Sequence, residues 1–119
     1  MMNLNELEKY LDAMPGSESG FPFGPEVKVY KVGGKMFALI SLQDSPLRIN
    51  LKCDPMDAQI LREQFEAVIP GYHMNKEHWN TVVLDGTMAV DTVRLLIDQS
   101  YNLIYNSLPK YKQNQIKRP

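Results

Sequence analysis

The chain has 119 residues, a net charge of -1 from 13 Lys plus Arg and 14 Asp plus Glu, and one cysteine. This length fits one domain, which can bury a core without disulfides or a structural metal. A lone Cys53 excludes an internal disulfide and favours a cytoplasmic protein. No apolar run approaches the ~20 residues that cross a bilayer, and residues 1–14 lack the apolar stretch of a signal peptide. We therefore expect a cytoplasmic protein that does not enter membranes.

The basic residues are unevenly distributed along the chain. Lys110, Lys112, Lys117 and Arg118 follow Leu108 without an intervening acid. We predict a single domain over residues 1–109 and a solvated basic tail over residues 110–119. The nearly neutral net charge is not that of a protein that packages nucleic acid.

The N-terminal residues predict a helix followed by a loop. Apolar residues from Leu4 to Met14 recur every three or four positions, Asn3 can cap the helix, and Pro15 ends it. The following segment, from Ser17 to Pro25, is rich in glycine and proline. We predict an ordered loop there that inserts two aromatic side chains, Phe21 and Phe23, into the domain.

The central segment predicts three strands. Val27–Val32 and the mainly apolar Lys35–Ser41 flank Gly33-Gly34, which suits a two-residue hairpin turn because glycine adopts positive φ without strain. Residues 47–52 then alternate between apolar and polar side chains. This alternation indicates a strand with one buried and one exposed face.

The C-terminal half predicts a helix, a second hairpin and a last helix. Asp54-Pro55 is a good helix start, and the helix should run to about Glu66. It should bury four side chains: Met56, Ile60, Leu61 and Phe65. Tyr72–Met74 and Trp79–Leu84 predict paired strands joined by residues 75–78. Thr87 should cap a helix whose apolar stripe runs from Val90 to Leu108. The economical fold is a two-layer α+β domain, in which helices cover one face of an antiparallel sheet.

Catalytic and metal-binding patterns are scarce. The sequence has no nucleophile elbow, phosphate loop, dinucleotide fingerprint or HExxH motif. Cys53 precedes a helix N-terminus, but Asp54 opposes thiolate formation, so a buried apolar role is favoured. His73 and His78 have only Glu77 as a nearby carboxylate, whereas a stable metal site needs three or four ligands. We predict no enzyme activity, no cofactor and no metal. An enzyme or metal protein built on Cys53 or the two histidines is the weakest alternative.

Residues 70–81 form the densest polar and aromatic cluster, PGYHMNKEHWNT. Its cation, imidazoles, amides and aromatic rings suit contacts with phosphate or bases. A structural interpretation is also open, in which Tyr72 and Trp79 face the core and Asn75 makes the turn.

Four segments together resemble the MmcQ/YjbR family: FPFGP at 21–25, KVGGKMFA at 31–38, LKCDP at 51–55 and the cluster at 70–81. They follow the family's order and span most of the chain. The resemblance implies a CyaY-like fold, similar to frataxin, which agrees with the element order α-β-β-β-α-β-β-α predicted from the segments above. It also implies DNA binding through two hairpin wings.

Transferred to this chain, one wing turns at Gly33-Gly34 with Lys31 and Lys35 beside its tip. The other carries four polar residues: His73, Asn75, Lys76 and His78. We predict a non-enzymatic DNA-binding protein with these six site residues, whose affinity falls as salt is added. The alternative is a small-ligand or protein-interaction module that uses Tyr72, His73, Trp79 and the Phe21–Phe23 region. The sequence leaves the oligomeric state open.

Overall fold

The computed structural model describes residues 2–71 and 74–116. These residues form a six-stranded antiparallel sheet with the order β1-β2-β3-β4-β6-β5, together with four helices. The predicted α+β class is confirmed. No helix in the described ranges is long and apolar enough to span a membrane. In chain order the elements are α1 Leu4–Asp12, β1 Ser17–Gly20, β2 Val27–Val32, β3 Lys35–Ser41, β4 Arg48–Lys52, α2 Pro55–Gln64, β5 Val68–Pro70, β6 Trp79–Val83, α3 Val90–Ser107 and α4 Lys110–Gln115.

The two faces of the sheet carry different apolar clusters. On the helix-covered face, Tyr30, Phe37 and Ile49 are fully buried with α1 and α3 residues such as Leu7 and Tyr101. The opposite face, called here the open face, has a smaller cluster made of Val29, Leu39 and Trp79. Strand alternation produces this division, since successive side chains point to opposite faces.

Several helix ends follow the predicted chemistry. Asn3 accepts a hydrogen bond from the Glu6 amide at 2.9 Å in a capping box, and Asp54 accepts from the Met56 amide at 3.1 Å. Thr87 does not cap α3, because its hydroxyl donates to Asp85 at 2.6 Å in the preceding turn. Ala89 occupies the cap position of α3 without a side-chain bond.

Two elements of the structure were not predicted from the sequence, and a third lies at a different position from the predicted one. Ser17–Gly20 forms the edge strand β1, because β2 supplies backbone partners despite the polar sequence. Lys110–Gln115, predicted as tail, forms the short helix α4. The strand paired with β6 is Val68–Pro70 instead of Tyr72–Met74, and Tyr72 and His73 lie outside the described residues.

The strand register places both predicted site hairpins at one end of the sheet. β2 finishes at Val32 where β3 begins at Lys35, and β4 finishes at Lys52 opposite Trp79, where β6 begins. We call this the Lys35 end. The loops at the other end include residues 42–47 and 84–89, and we call it the Asp44 end.

A bulge in β3 fixes α3 against the sheet. Tyr30 pairs with Ala38 and Lys31 with Met36, so Phe37 is the extra residue between them. The buried Ser100 hydroxyl of α3 donates to the Phe37 carbonyl at 2.6 Å and accepts from the Lys52 amide at 2.9 Å. One hydroxyl therefore satisfies backbone groups of two strands.

We predict that Ser100→Ala destabilises the fold by about 2 kcal/mol, because it leaves the part-buried Lys52 amide and the buried Phe37 carbonyl without this partner. Urea-induced unfolding measures this change. Ser107→Ala is the matched control, since that hydroxyl bonds to the Ile104 carbonyl within its own helix and is exposed. Ser107→Ala should change stability by less than about 0.5 kcal/mol. Equal stabilities of the two variants would contradict the assignment.

Candidate nucleic-acid interface

Lysines collect at the Lys35 end of the sheet. Lys35 begins β3, Lys52 ends β4 and Lys76 lies in the loop before β6. Lys110 and Lys112 of α4 extend this group beside the β2–β3 hairpin. Acids also occur here, including Glu18, Asp54, Asp57 and Glu77, so lysines and acids are mixed at this end.

The loops at the Asp44 end carry the opposite charge. Glu26, Asp44, Glu66 and Asp85 are exposed there, whereas Arg48 is the basic residue at that end of β4. The two hydrogen bonds that Thr87 donates to Asp85 lower the pKa of that carboxyl, which stays charged at neutral pH. The nearly neutral chain is thus electrostatically polarised along its strands.

The first hairpin tip packs against the rest of the protein. A side chain added at Gly33 would meet the Leu108 side chain at 2.5 Å, and Lys112 Nζ donates to the Gly33 carbonyl at 3.2 Å. Gly33 has φ +58°, so this close approach in a left-handed conformation requires glycine. The tip is held by the α3–α4 junction and does not project alone.

Lys31 and Lys35, the two predicted cations of this hairpin, lie in different settings. Lys35 is exposed, and its Nζ is 3.4 Å from Ser107 Oγ near the C-terminus of α3. α3 has no basic residue in its last turn, so Lys35 and Lys112 also offset the partial negative charge of its terminal carbonyls. Lys31 is half-buried and pairs in register with Glu18 of β1.

The second site segment is a turn that Asn75 organises and Arg62 holds. Asn75 Oδ1 accepts from the Glu77 amide at 2.9 Å, and its carbonyl accepts from the Trp79 amide at 2.9 Å. Arg62 of α2 donates to the Lys76 carbonyl and, through Nε, to Asn80 Oδ1 at 2.7 Å. The Lys76 side chain is exposed beyond this framework. Sequence reasoning missed Arg62, because the pairing of a helix arginine with a distant loop leaves no local pattern.

Of the two histidines among the predicted site residues, the structure describes His78 but not His73. His78 is half-buried, and its carbonyl accepts from the Cys53 amide at 2.8 Å, which joins the turn to the start of α2. His73 lies outside the described residues, as does Tyr72 of the alternative site. The structure thus brings Lys35, Asn75, Lys76 and His78 to one end of the sheet, with Lys31 on the adjacent part of the open face.

Three aromatic side chains differ in exposure. Trp79 is only 8% exposed and packs on Val29 and Leu39. Phe21 and Phe23 are 50% and 61% exposed. The expectation that these phenylalanines insert into the domain is therefore wrong, because the main core is already filled by side chains from the sheet and helices.

The expectation for α2 is wrong in the same way for two residues. Met56 and Ile60 are 72% and 44% exposed, while Ala58 is the buried residue of the helix. Leu61 and Phe65 pack on the main core as predicted. A three- or four-residue spacing identifies an apolar stripe but does not show how much of it a neighbouring layer covers.

Cys53 lies at the start of α2 beside a groove of about 270 Å³ that also includes Asp54 and Asp57. Burial, followed by the Asp57 and Asp54 carboxylates, raises the pKa of the thiol to about 11. The thiol therefore stays protonated at neutral pH. Within the described ranges, no group of three or more His, Cys, Asp and Glu side chains is arranged to hold a metal ion.

The fold and site together define a class of protein. It is a small α+β domain whose antiparallel sheet is covered by helices on one face and carries lysines at one end. A YjbR family profile matches residues 12–103, and the chain belongs to this family.

Relatives match along almost the whole chain. The uncharacterized protein YbdF of Escherichia coli O157:H7 is 39% identical over 97% of this chain and 95% of its own length. The uncharacterized protein YjbR of Escherichia coli K12 is 35% identical over 94% and 95% of the two chains. The crystal structure of Deinococcus radiodurans protein DR2400, with a DUF419 domain, has a TM-score of 0.91 at 36% identity over 97% and 88% of the two chains.

We predict that Cys53 reacts slowly with disulfide reagents in the folded protein. Raising the pKa from 9.0 to about 11 lowers the thiolate fraction at pH 8 roughly 100-fold, and burial slows access further. Ellman's reagent at pH 8, with and without denaturant, measures the difference. Equal rates in the two conditions would show that the thiol is neither buried nor shifted.

Proposed function

We propose that this protein binds nucleic acid, with DNA as the expected partner, through the Lys35 end of its sheet. The observation that carries the proposal is the uneven distribution of charge along the strands: lysines and acids are mixed at the Lys35 end, whereas the exposed charged residues in the loops at the Asp44 end are acids. A polyanion would approach the lysine end and be repelled from the acidic end.

The contact surface in this proposal consists of lysines that several elements bring to the Lys35 end. Lys76 on the turn after β5 and Lys35 at the start of β3 are exposed, and Lys110 of α4 extends this group. Because Lys35 and Lys112 also compensate the C-terminus of α3, Lys76 is the most independent phosphate contact. Asn75 and His78 hold the turn that presents Lys76. Lys31 lies on the open face of β2, which β3 and β4 separate from β6.

The small number of lysines sets the expected strength of binding. Each neutralised phosphate contributes a slope of about -0.9 to the dependence of log affinity on log salt concentration. Three or four contacts give a slope of about -3, so binding should be weak and steeply lost as salt rises.

The exposed pair Phe21 and Phe23 favours a second candidate function, a small-ligand or protein-interaction module. Of the other residues in this alternative, Trp79 is buried in the cluster on the open face, and Tyr72 and His73 lie outside the described residues. The exposed phenylalanines and the groove beside Phe21 are the described part of that site that a ligand can reach.

We predict that Lys76→Glu weakens duplex binding about tenfold at low salt and lowers the salt slope by about 1. Fluorescence anisotropy with a labelled 20-base-pair duplex, repeated at several salt concentrations, measures both quantities. Arg48→Glu is the charge-matched control, since Arg48 begins β4 at the Asp44 end and is part-exposed. It should retain most of the affinity. Equal binding by wild type and Lys76→Glu, or equal losses in both variants, would refute the interface.

A further inference from the structure

The loop between β1 and β2 presents two phenylalanines on a constrained backbone. The Gly24 amide donates to the Phe21 carbonyl at 3.2 Å, and Gly24 has φ +110°. The Leu42 amide donates to the Glu26 carbonyl at 2.8 Å and ties the end of the loop to the sheet. The turn therefore restrains the backbone that carries the half-exposed Phe21 ring.

A groove of about 290 Å³ lies beside Phe21 on the open face of the sheet. Phe21 and Pro22 line one end, Val29 contributes an apolar surface, and Lys31 lies toward the other end. A side chain added at Gly20 would meet nothing within 4 Å, so the groove is open above this residue. Its volume is at the lower limit of roughly 300 Å³ for small-molecule sites, which suits one flat ring.

The chemistry of the groove favours a neutral ring, and the cations that can hold an anionic chain lie beyond it at the Lys35 end. Phe21 offers an aromatic face, Val29 an apolar contact and Lys31 a half-buried cation, and Lys31 lies on the open face one residue before β2 finishes at the Lys35 end. The exposed Glu18 also lines the groove and pairs with Lys31 in register, so the groove has no net positive charge. Most binding energy in the groove would therefore come from stacking, with phosphates held nearer the Lys35 end.

We infer that the groove between Phe21 and Lys31 takes an unpaired base of a single-stranded nucleic acid whose backbone continues toward the Lys35 end. This inference rests on the proposed function and adds a preference for single strands. In a duplex the bases are stacked and paired within the helix, so a ring on a loop cannot stack on them without disrupting the duplex. A single strand presents its bases freely.

The test compares a labelled single-stranded 12-mer with a duplex of the same sequence by fluorescence anisotropy. Phe21→Ala should weaken single-strand binding about five- to hundredfold, the range for losing one stacked base, while duplex binding stays unchanged. Phe21→Tyr should restore binding because it keeps the aromatic face. Gly20→Leu should also weaken single-strand binding by filling the groove, since Gly20 has open space above it.

Leu95→Ala is the matched control, because Leu95 is a 55% exposed apolar residue on α3, away from the groove. It should bind both probes as wild type does. The Phe21→Ala loss should persist as salt rises, whereas the Lys76→Glu loss should shrink, since stacking is screened less than a phosphate contact. Thermal melts confirm that each variant is folded.

The possible failures are distinguishable. Unchanged single-strand binding by Phe21→Ala and Gly20→Leu, with binding still lost in Lys76→Glu, would overturn the groove assignment and leave the proposed function standing. Equal losses for single strand and duplex in Phe21→Ala would overturn the single-strand preference. Failure of the wild type to bind either probe at low salt would overturn both proposals.

Discussion

The buried Ser100 hydroxyl is the contact on which the arrangement of the Lys35 end depends. It joins the bulged β3 to β4 and fixes α3 over both strands. The bulge turns Phe37 as well as Ala38 into the main core, where the Phe37 ring meets Tyr101 edge-on with centroids 5.3 Å apart. The hydrogen bonds and this aromatic contact fix the position of α3 along the strand direction. They therefore also fix the point on the sheet at which the helix ends.

The position of the α3 C-terminus in turn determines the shape of the surface. Leu108 follows the last turn and fills the space beside Gly33, so the hairpin tip and α4 form one packed unit. Tyr105 adds a hydrogen bond to the Gln113 carbonyl at 3.1 Å, and Ile116 packs against Gly16. Lys35 and Lys112, which are distant in the sequence, therefore both reach this junction: Lys35 Nζ lies 3.4 Å from Ser107 Oγ, and Lys112 donates to the Gly33 carbonyl.

Features that the local sequence determines could be predicted, whereas features that depend on contacts with distant elements could not. The caps at Asn3 and Asp54, the Gly33-Gly34 turn and the stripe from Val93 to Ile104 depend on local geometry, and local sequence reveals them. β1 forms because β2 supplies its backbone hydrogen-bond partners, and the sequence SESG by itself has no strand pattern. The exposure of Phe21 and Met56 and the role of Arg62 likewise depend on distant elements. The two-layer class was accessible from sequence, whereas the shape of the site required the tertiary contacts.

Net charge is a poor guide to what such a surface can bind, because a contact responds to the local field. Exposed acids at the Asp44 end lie a strand length, about 17 Å, from the lysines at the other end. This separation exceeds the Debye length of ~8 Å at physiological ionic strength. The electrostatic interaction between exposed charges at the two ends is therefore largely screened. A chain with a formal charge of -1 can thus present a positive edge to an approaching ligand. The field of that edge still falls quickly with salt, and the exposed aromatic surface of Phe21 would supply attraction that salt does not remove.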